Sequence, residues 1–553
     1  MSPESFDYVI VGAGSAGCVL ADRLTESGRD SVLLLEYGGS DRSVWIQMPS
    51  ALSIPMNMPR YDWGYYSEPE PNLNNRRLHT PRGKVLGGSS SINGLVYVRG
   101  NPLDFERWQE QGAAGWGYHD VLPYFRRAEA YVGGGDQYRG GEGRLATRQG
   151  LLTNPLHQAW LTAGREAGYA STADMNGFQQ EGLARMDMTV GGGRRCSAAN
   201  AYLRPAMRRP NLALRTHALA ERVLFEGRRA VGVRYQHAGS SHEVRARREV
   251  ILSAGPINSP QLLKLSGVGP AEEVAALGIA VLQHLPGVGE NLQDHLEFYF
   301  QVASREPVTL YPQTLLWRRA LIGARWLLTH SGLGTSNHFE TGGFIRSRAG
   351  IRYPDIQFHF LPLAVSYDGS ALAREHGFQA HVGPMRSRSQ GWVRLRSPQA
   401  RDKPKIFFNY MSQPEDWVEM RACVRLTREI FAQAAFNRYR GREIQPGAEV
   451  QSDEQIDAFI RAKVESAYHP SCTCRMGDAA DPLAVVDSQT RVIGLGSLRV
   501  VDSSIMPSIT TGNLNAPTIM LAEKAADHIR GAALLPRASA PYYVAPDWEH
   551  TQR

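Results

Sequence analysis

A chain of 553 residues, 42% hydrophobic and 21% charged, is too long for one ordinary hydrophobic core and shows no disorder bias, so two domains or one large insertion are expected. Its formal charge of +7 comes from Lys and Arg scattered along the chain rather than gathered on a helix, which argues against nucleic-acid binding and for a solvated surface. No run approaches the ~20 apolar residues that span a bilayer. The polar first six residues do not read as a secretory signal, and the five cysteines form no framework, so a cytoplasmic chain with reduced thiols is expected. Any membrane contact is expected to be peripheral, at the inner face of the cell membrane.

Residues 6–11 are a short apolar run of β-formers, which predicts a buried parallel strand. A glycine turn follows at 12–17, then a predicted helix over 15–25 and a second strand over 32–35, closing a βαβ unit. Short strands are predicted at 212–215, 222–225 and 230–236, the last two joined by a hairpin at Glu226-Gly227. Residues 250–253 read as another buried strand, with an apolar helix around 261–265. Between 296 and 464, strand patterns (356–361, 392–395) alternate with helical ones (417–432). A strand at 498–501 and a helix at 517–529 then return to the opening theme.

Gly12, Gly14 and Gly17 form a G-x-G-x-x-G after a strand and before a helix. Such glycines permit a tight turn, close approach of backbone to a pyrophosphate, and close packing of helix on strand. The phosphates then meet the positive end of the helix dipole. Glu36, at the tip of the next strand, suits ribose hydroxyls. This motif leaves NAD and FAD both open. The segment Arg82-Gly-Lys-Val-Leu-Gly-Gly-Ser-Ser-Ser-Ile-Asn-Gly94 offers glycines and hydroxyls without a regular period, as a loop against a phosphate or flavin ring would.

Together with Gly255-Pro-Ile-Asn-Ser-Pro-Gln-Leu-Leu-Lys-Leu-Ser-Gly267, that segment resembles the two signatures of the glucose–methanol–choline (GMC) oxidoreductase family. Ser336-Asn-His-Phe-Glu340, the stretch from His376 to Arg386, and Thr511-Gly-Asn-Leu-Asn515 extend the resemblance over nearly the whole chain. It implies a fold that is α/β and α+β: a Rossmann-like FAD-binding domain, discontinuous in sequence, with a mixed sheet-plus-helices substrate domain. The expected boundaries are 1–150, 195–295 and 465–532 for the FAD-binding domain and 151–194 and 296–464 for the substrate domain, with a tail at 533–553. The implied cofactor contacts are Gly12, Gly14, Ser15, Gly17, Glu36, Arg82, Gly87, Gly88, Ser89, Asn93, Gly94, Val223, Asp502 and Asn513. The position at which some choline-oxidising relatives attach FAD through a histidine falls on Ile92, so noncovalent FAD is expected.

Oxidising an alcohol with a flavin requires a base for the hydroxyl proton, a stabiliser for alkoxide-like charge and a fixed donor–acceptor distance. The resemblance assigns the base to His469, in Tyr468-His-Pro-Ser-Cys-Thr-Cys-Arg-Met-Gly477, and its partner to Asn515. A metal site at His469, Cys472 and Cys474 lacks the paired spacing of structural zinc, and no metal is expected. A Gly-x-Ser-x-Gly hydrolase elbow is missing.

The resemblance further implies a small alcohol substrate, with choline expected and betaine aldehyde as product; a second oxidation to glycine betaine is left open. A neutral aliphatic or aromatic alcohol is the alternative. The acceptor is expected to be a quinone or another respiratory-chain carrier. A quaternary ammonium donates no hydrogen bond, so it needs aromatic faces and an uncancelled carboxylate. Glu340, with Phe339 beside it and Trp63 (near Tyr65 and Tyr66) as an aromatic wall, is the candidate. The alternatives are a structural carboxylate and plain core packing.

Overall fold

The computed structural model describes residues 4–365 and 375–553. Two seven-stranded sheets organise it. In the first, Leu212–Arg215, Val32–Leu35, Glu4–Val11 and Ser240–Leu252 run parallel, and Leu498–Val500 joins the other side of Ser240–Leu252. Val32–Leu35, Leu498–Val500 and the adjoining ends of Glu4–Val11 and Ser240–Leu252 are apolar and buried, as the centre of a sheet covered on both faces requires. The expected strand at 250–253 is the end of a much longer one. Its start pairs antiparallel with Arg229–His237, which pairs in turn with Leu219–Glu226, so one strand carries both a parallel layer and a hairpin.

The helices Ser15–Thr25, Gly255–Leu265 and Asn515–Arg530 are set against this sheet. The last two begin earlier than their apolar periodicity predicts, because Pro256 and Pro517 stand in the first turn, where a missing N–H costs nothing. The glycine turn adopts the geometry its sequence demands. Gly12 has φ +100°, and a Cβ there would lie 2.5 Å from the Ser253 carbonyl oxygen. A Cβ on Gly17 would lie 1.9 Å from the Gly12 carbonyl oxygen.

The second sheet is antiparallel, in the order Arg440–Gln445, Leu296–Ser304, Gly377–Pro384, Ile356–Leu361, Thr341–Ile345 and Gly182–Arg185, with Glu465–Ser466 added to Leu296–Ser304. Side chains alternate faces along a strand. Phe298, Phe300, Phe358, Phe360, Phe378 and Ala380 therefore pack one face against Trp160, Phe431 and Phe436. Glu297, Gln357, His359, Gln379 and His381 occupy the opposite parity. His359 stands directly across from His381. A polar stripe is thus built into buried strands, and it faces the first sheet's helix termini.

The C-terminal residues lie back on the molecule. Ala538 and Tyr543 donate backbone hydrogen bonds to the carbonyls of His119 and Phe178, and Arg553 pairs with Glu429 at 2.9 Å. No helix of the described residues is long and apolar enough to cross a membrane.

Candidate active site

A single long cleft runs between the two sheets. One end is lined by Gly12, Gly14, Ser15, Glu36, Gly88 and Ser89; the other holds Glu297, Phe339, His359, His381, His469 and Asn513. Ser15, Gly255 and Asn515 open three helices and all line it, so three positive helix ends converge on the same space. Glu36 is buried, and its two oxygens accept from Ala13 N and Gly38 N, each keeping capacity for a further donor. Burial pushes its carboxyl up to about 7. A Cβ on Gly88 would lie 2.7 Å from Gly14 Cα, so the two glycine segments touch without side chains. The buried Ser253 hydroxyl beside them has no hydrogen-bond partner among the described residues. A cleft with glycine walls, converging positive helix ends and an orphaned hydroxyl fits a dinucleotide.

Most expected cofactor residues line this cleft: Gly12, Gly14, Ser15, Glu36, Arg82, Gly88, Ser89, Asn93, Gly94, Asp502 and Asn513. Three do not. Gly17 and Gly87 serve the backbone instead: Gly17 lets the first helix close on the turn, and a Cβ on Gly87 would lie 2.2 Å from the Ser91 hydroxyl. Val223 is a correction. Its N–H is taken by Ser266 Oγ at 2.8 Å, and the strand meets the cleft earlier, at Leu219 and Ala220. Asp502 lines the wall but is spent on structure, accepting from Gly255 N, Ser259 Oγ and Ser504 N and so fixing the start of the Gly255–Leu265 helix.

At the other end His469 is held from several sides. Asp294 accepts from its backbone N–H at 2.7 Å and also from Tyr410 and Ser466, and Arg82 donates to the Tyr468 carbonyl. Tyr468 has φ +66°, a turn that directs the imidazole inward. Asn513 Nδ2 lies 3.0 Å from His469 Nε2, and His295 Nδ1 lies 3.1 Å from His469 Nδ1.

The surrounding network fixes the protons. Gln357 Nε2 and His359 Nε2 both reach Asn513 Oδ1, at 3.1 and 3.3 Å, which leaves the Asn513 NH2 to donate to His469 Nε2. His295 Nε2 gives its hydrogen to the Met385 carbonyl at 3.0 Å, so its Nδ1 accepts from His469 Nδ1. His469 is therefore neutral, with its lone pair on Nε2. Burial, reinforced by His295, His359 and Arg82, holds this imidazole well below its ordinary value, while burial brings His295 and His359 down to about 4.

Asn515, the expected partner of His469, is elsewhere. Its Oδ1 accepts from Ser15 Oγ at 2.9 Å, joining two helix starts at the glycine turn. The structure exchanges the expected positions of the two asparagines: Asn513 touches the histidine, and Asn515 lies at the nucleotide end.

Glu340 is also a correction. It is buried away from the cleft lining, where it accepts from Ser336 Oγ and Leu152 N at 2.6 Å each. The carboxylate that lines the His469 end of the cleft is Glu297. Its oxygen accepts from His381 Nδ1 at 3.0 Å. Gln379 Oε1 accepts from the Val365 N–H, so the Gln379 NH2 donates to His381 Nε2 at 2.7 Å. That leaves His381 one proton, and it gives Glu297 a hydrogen bond without cancelling its charge. Phe339 stands edge-on to both His359 and His381, with centroids 5.8 and 5.2 Å away. Trp63 lines the cleft too, but its ring lies against Tyr37 and Tyr65, toward the Glu36 end.

The GMC oxidoreductase family model matches residues 6–297 in its N-terminal part and 387–522 in its C-terminal part. The chain belongs to the GMC oxidoreductase family. An oxygen-dependent choline dehydrogenase of Brucella anthropi is 57% identical over 547 residues, covering 99% of this chain and all of that one. Another of that name, from Photobacterium profundum, is 56% identical over 99% of this chain and 97% of its own length. Among solved structures, pyridoxine 4-oxidase from Mesorbium loti superposes with a TM-score of 0.85 at 31% identity, covering 95% of this chain and 99% of that one. A formate oxidase gives 0.90 at 25% identity, covering 96% and 99%. Membership makes this chain an FAD-dependent oxidoreductase, in agreement with the dinucleotide-shaped cleft.

Proposed function

We propose that this chain oxidises choline to betaine aldehyde. The carrying observation is Glu297, a carboxylate on the cleft wall whose hydrogen-bond donor among the described residues is an imidazole, that of His381, rather than an arginine or lysine, at the same end as the His469–Asn513 pair. A trimethylammonium group would be held by that charge and by the Phe339 face. The names of the full-length relatives support the same substrate.

In this reading His469 Nε2 takes the hydroxyl proton, passing charge into a ring already braced by His295. Asn513 Nδ2, which points at the same nitrogen, donates to the alkoxide-like oxygen as the proton leaves. Bound FAD would supply the hydride acceptor for the substrate carbon. Ile92, on the cleft wall, offers no imidazole for a covalent link, which supports noncovalent FAD, and acid precipitation is expected to release the flavin into the supernatant. The hydrate of betaine aldehyde also presents a hydroxyl, which supports continued oxidation to glycine betaine. A respiratory quinone is the proposed acceptor; oxygen uptake equal to dye reduction would assign oxygen instead. The deciding experiment follows flavin absorbance without oxygen. Choline should bleach it, and benzyl alcohol and 3,3-dimethylbutanol should do so far more slowly; the reverse order would replace choline with a neutral alcohol.

A further inference from the structure

The helix Leu316–Thr329 is amphipathic, but it is mounted the wrong way round for a soluble surface. At 3.6 residues per turn, Leu316, Leu327, Ala320, Ala324, Trp317, Leu328 and Leu321 follow one another over an arc of roughly 140°. All of them are exposed, with Leu316, Leu321 and Leu328 at 82%, 61% and 83%. Only Trp326, on the opposite side, is buried, against Met48 and Ala51. A surface helix ordinarily turns its apolar stripe inward and its charges outward. Here the stripe is outward, and Arg318 and Arg325 border one edge of it.

The charge on this element has one sign. No Asp or Glu occurs from 307 to 339, and none of Arg318, Arg319 and Arg325 makes a salt bridge among the described residues. Leu, Trp and Arg arranged as an apolar arc with a cationic border match an anionic lipid interface, where the stripe enters the acyl boundary and the guanidinium groups meet headgroup phosphates. A second copy of the same face is a poorer occupant, because it brings a second set of arginines and no carboxylate strip to answer them.

We propose that this helix docks the enzyme on an anionic phospholipid surface. The position has a consequence. Trp326 rests on Met48 and Ala51, and the same short segment contributes Leu52 and Met56 to the cleft wall. Docking therefore brings the cofactor cleft to within one layer of chain from the bilayer. The proposal does not depend on which alcohol is oxidised.

The test uses full-length, flavin-loaded enzyme sedimented with vesicles of phosphatidylcholine alone or with ~30% phosphatidylglycerol. Binding is expected only to the anionic vesicles and should weaken as salt rises. The set Arg318→Gln, Arg319→Gln and Arg325→Gln should reduce partitioning by about 5-fold per arginine, roughly 100-fold together. The set Leu316→Gln, Leu321→Gln and Leu328→Gln should abolish it. Both sets should retain flavin and turn over with a soluble dye as the unaltered enzyme does. If the leucine set loses flavin, the arginine set decides alone. No binding to anionic vesicles, or equal binding by the variants, overturns the proposal. So does a concentration-dependent dimer that the leucine set breaks, which would make a second copy the occupant.

Discussion

Replacing Glu297 with Gln isolates the charge from the shape of the pocket. The amide keeps an oxygen to accept from His381 Nδ1 and changes the side-chain volume little, so the sheet should not rearrange. What is lost is attraction for a cation. Two unit charges ~4 Å apart attract by about 1 kcal/mol in bulk water and about 4 kcal/mol at an effective dielectric constant near 20. Glu297 is half-buried on a cleft that admits solvent, so about 2 kcal/mol is a reasonable middle value, equivalent to a ~30-fold loss in kcat/KM for choline. The uncharged isostere 3,3-dimethylbutanol feels no such attraction, and its kcat/KM should change less than ~3-fold. Steady-state kinetics with both alcohols, at equal flavin content and with one artificial acceptor, give the comparison. Equal losses for the two alcohols would show that Glu297 does not recognise charge, and the case for choline would then rest on the relatives' names alone.

Exchanging the asparagines separates chemistry from cofactor binding. Asn513→Ala should cut kcat/KM about 10-fold or more with flavin content unchanged, since it removes a hydrogen bond at His469 Nε2. Asn515→Ala should instead weaken flavin retention, leaving turnover per bound flavin near normal; the opposite pattern would restore Asn515 as the partner. The pH profile is a further test. In the proposed mechanism His469 is the neutral base, and its pKa is lowered, so activity should persist below the ordinary imidazole value of 6.5 and fall only as pH drops through the lowered one. An acid limb in kcat/KM above 6.5 for a substrate that does not itself titrate would contradict a buried, neutral His469. His469→Ala should lower turnover at least ~10²-fold while the protein stays yellow.

The parts of the fold that are local in sequence were legible there. The glycine turn, the strand before it and the Glu36 tip follow from residue spacing alone, and the family likeness supplied FAD. The parts carried by two distant strands were not. Glu297 is the one charged residue in Leu296–Ser304, and His359 and His381 are lone imidazoles in strands whose other polar side chain is a single glutamine. Each reads singly as a tolerated polar residue. Only the register that sets His359 against His381 gathers them on one face, and register between strands about twenty residues apart is not written in either of them. Glu340 misled for the converse reason. An acid beside an aromatic looks like a cation site, yet Glu340 is buried off the cleft, held there by Ser336 Oγ and the Leu152 N–H.

The asparagine exchange turns on a smaller matter, the residue at which a helix begins. Asn513 and Asn515 are two apart in one short polar segment, and sequence boundaries of helices are blurred by about that much. Gly512, at φ +105°, lets the chain turn sharply, so Asn513 leaves the turn toward the second sheet, where Gln357 and His359 claim its oxygen. Asn515 is already the first helical residue and points along the bundle of helix starts to Ser15. Two residues along the backbone thus divide the contact with His469 from the contact with the glycine turn. The division is enforced by acceptors and donors on the opposite sheet: without Gln357 and His359 to take its oxygen, Asn513 could turn its amide over and present an acceptor to His469, and the lone pair on Nε2 would lose the donor that defines it.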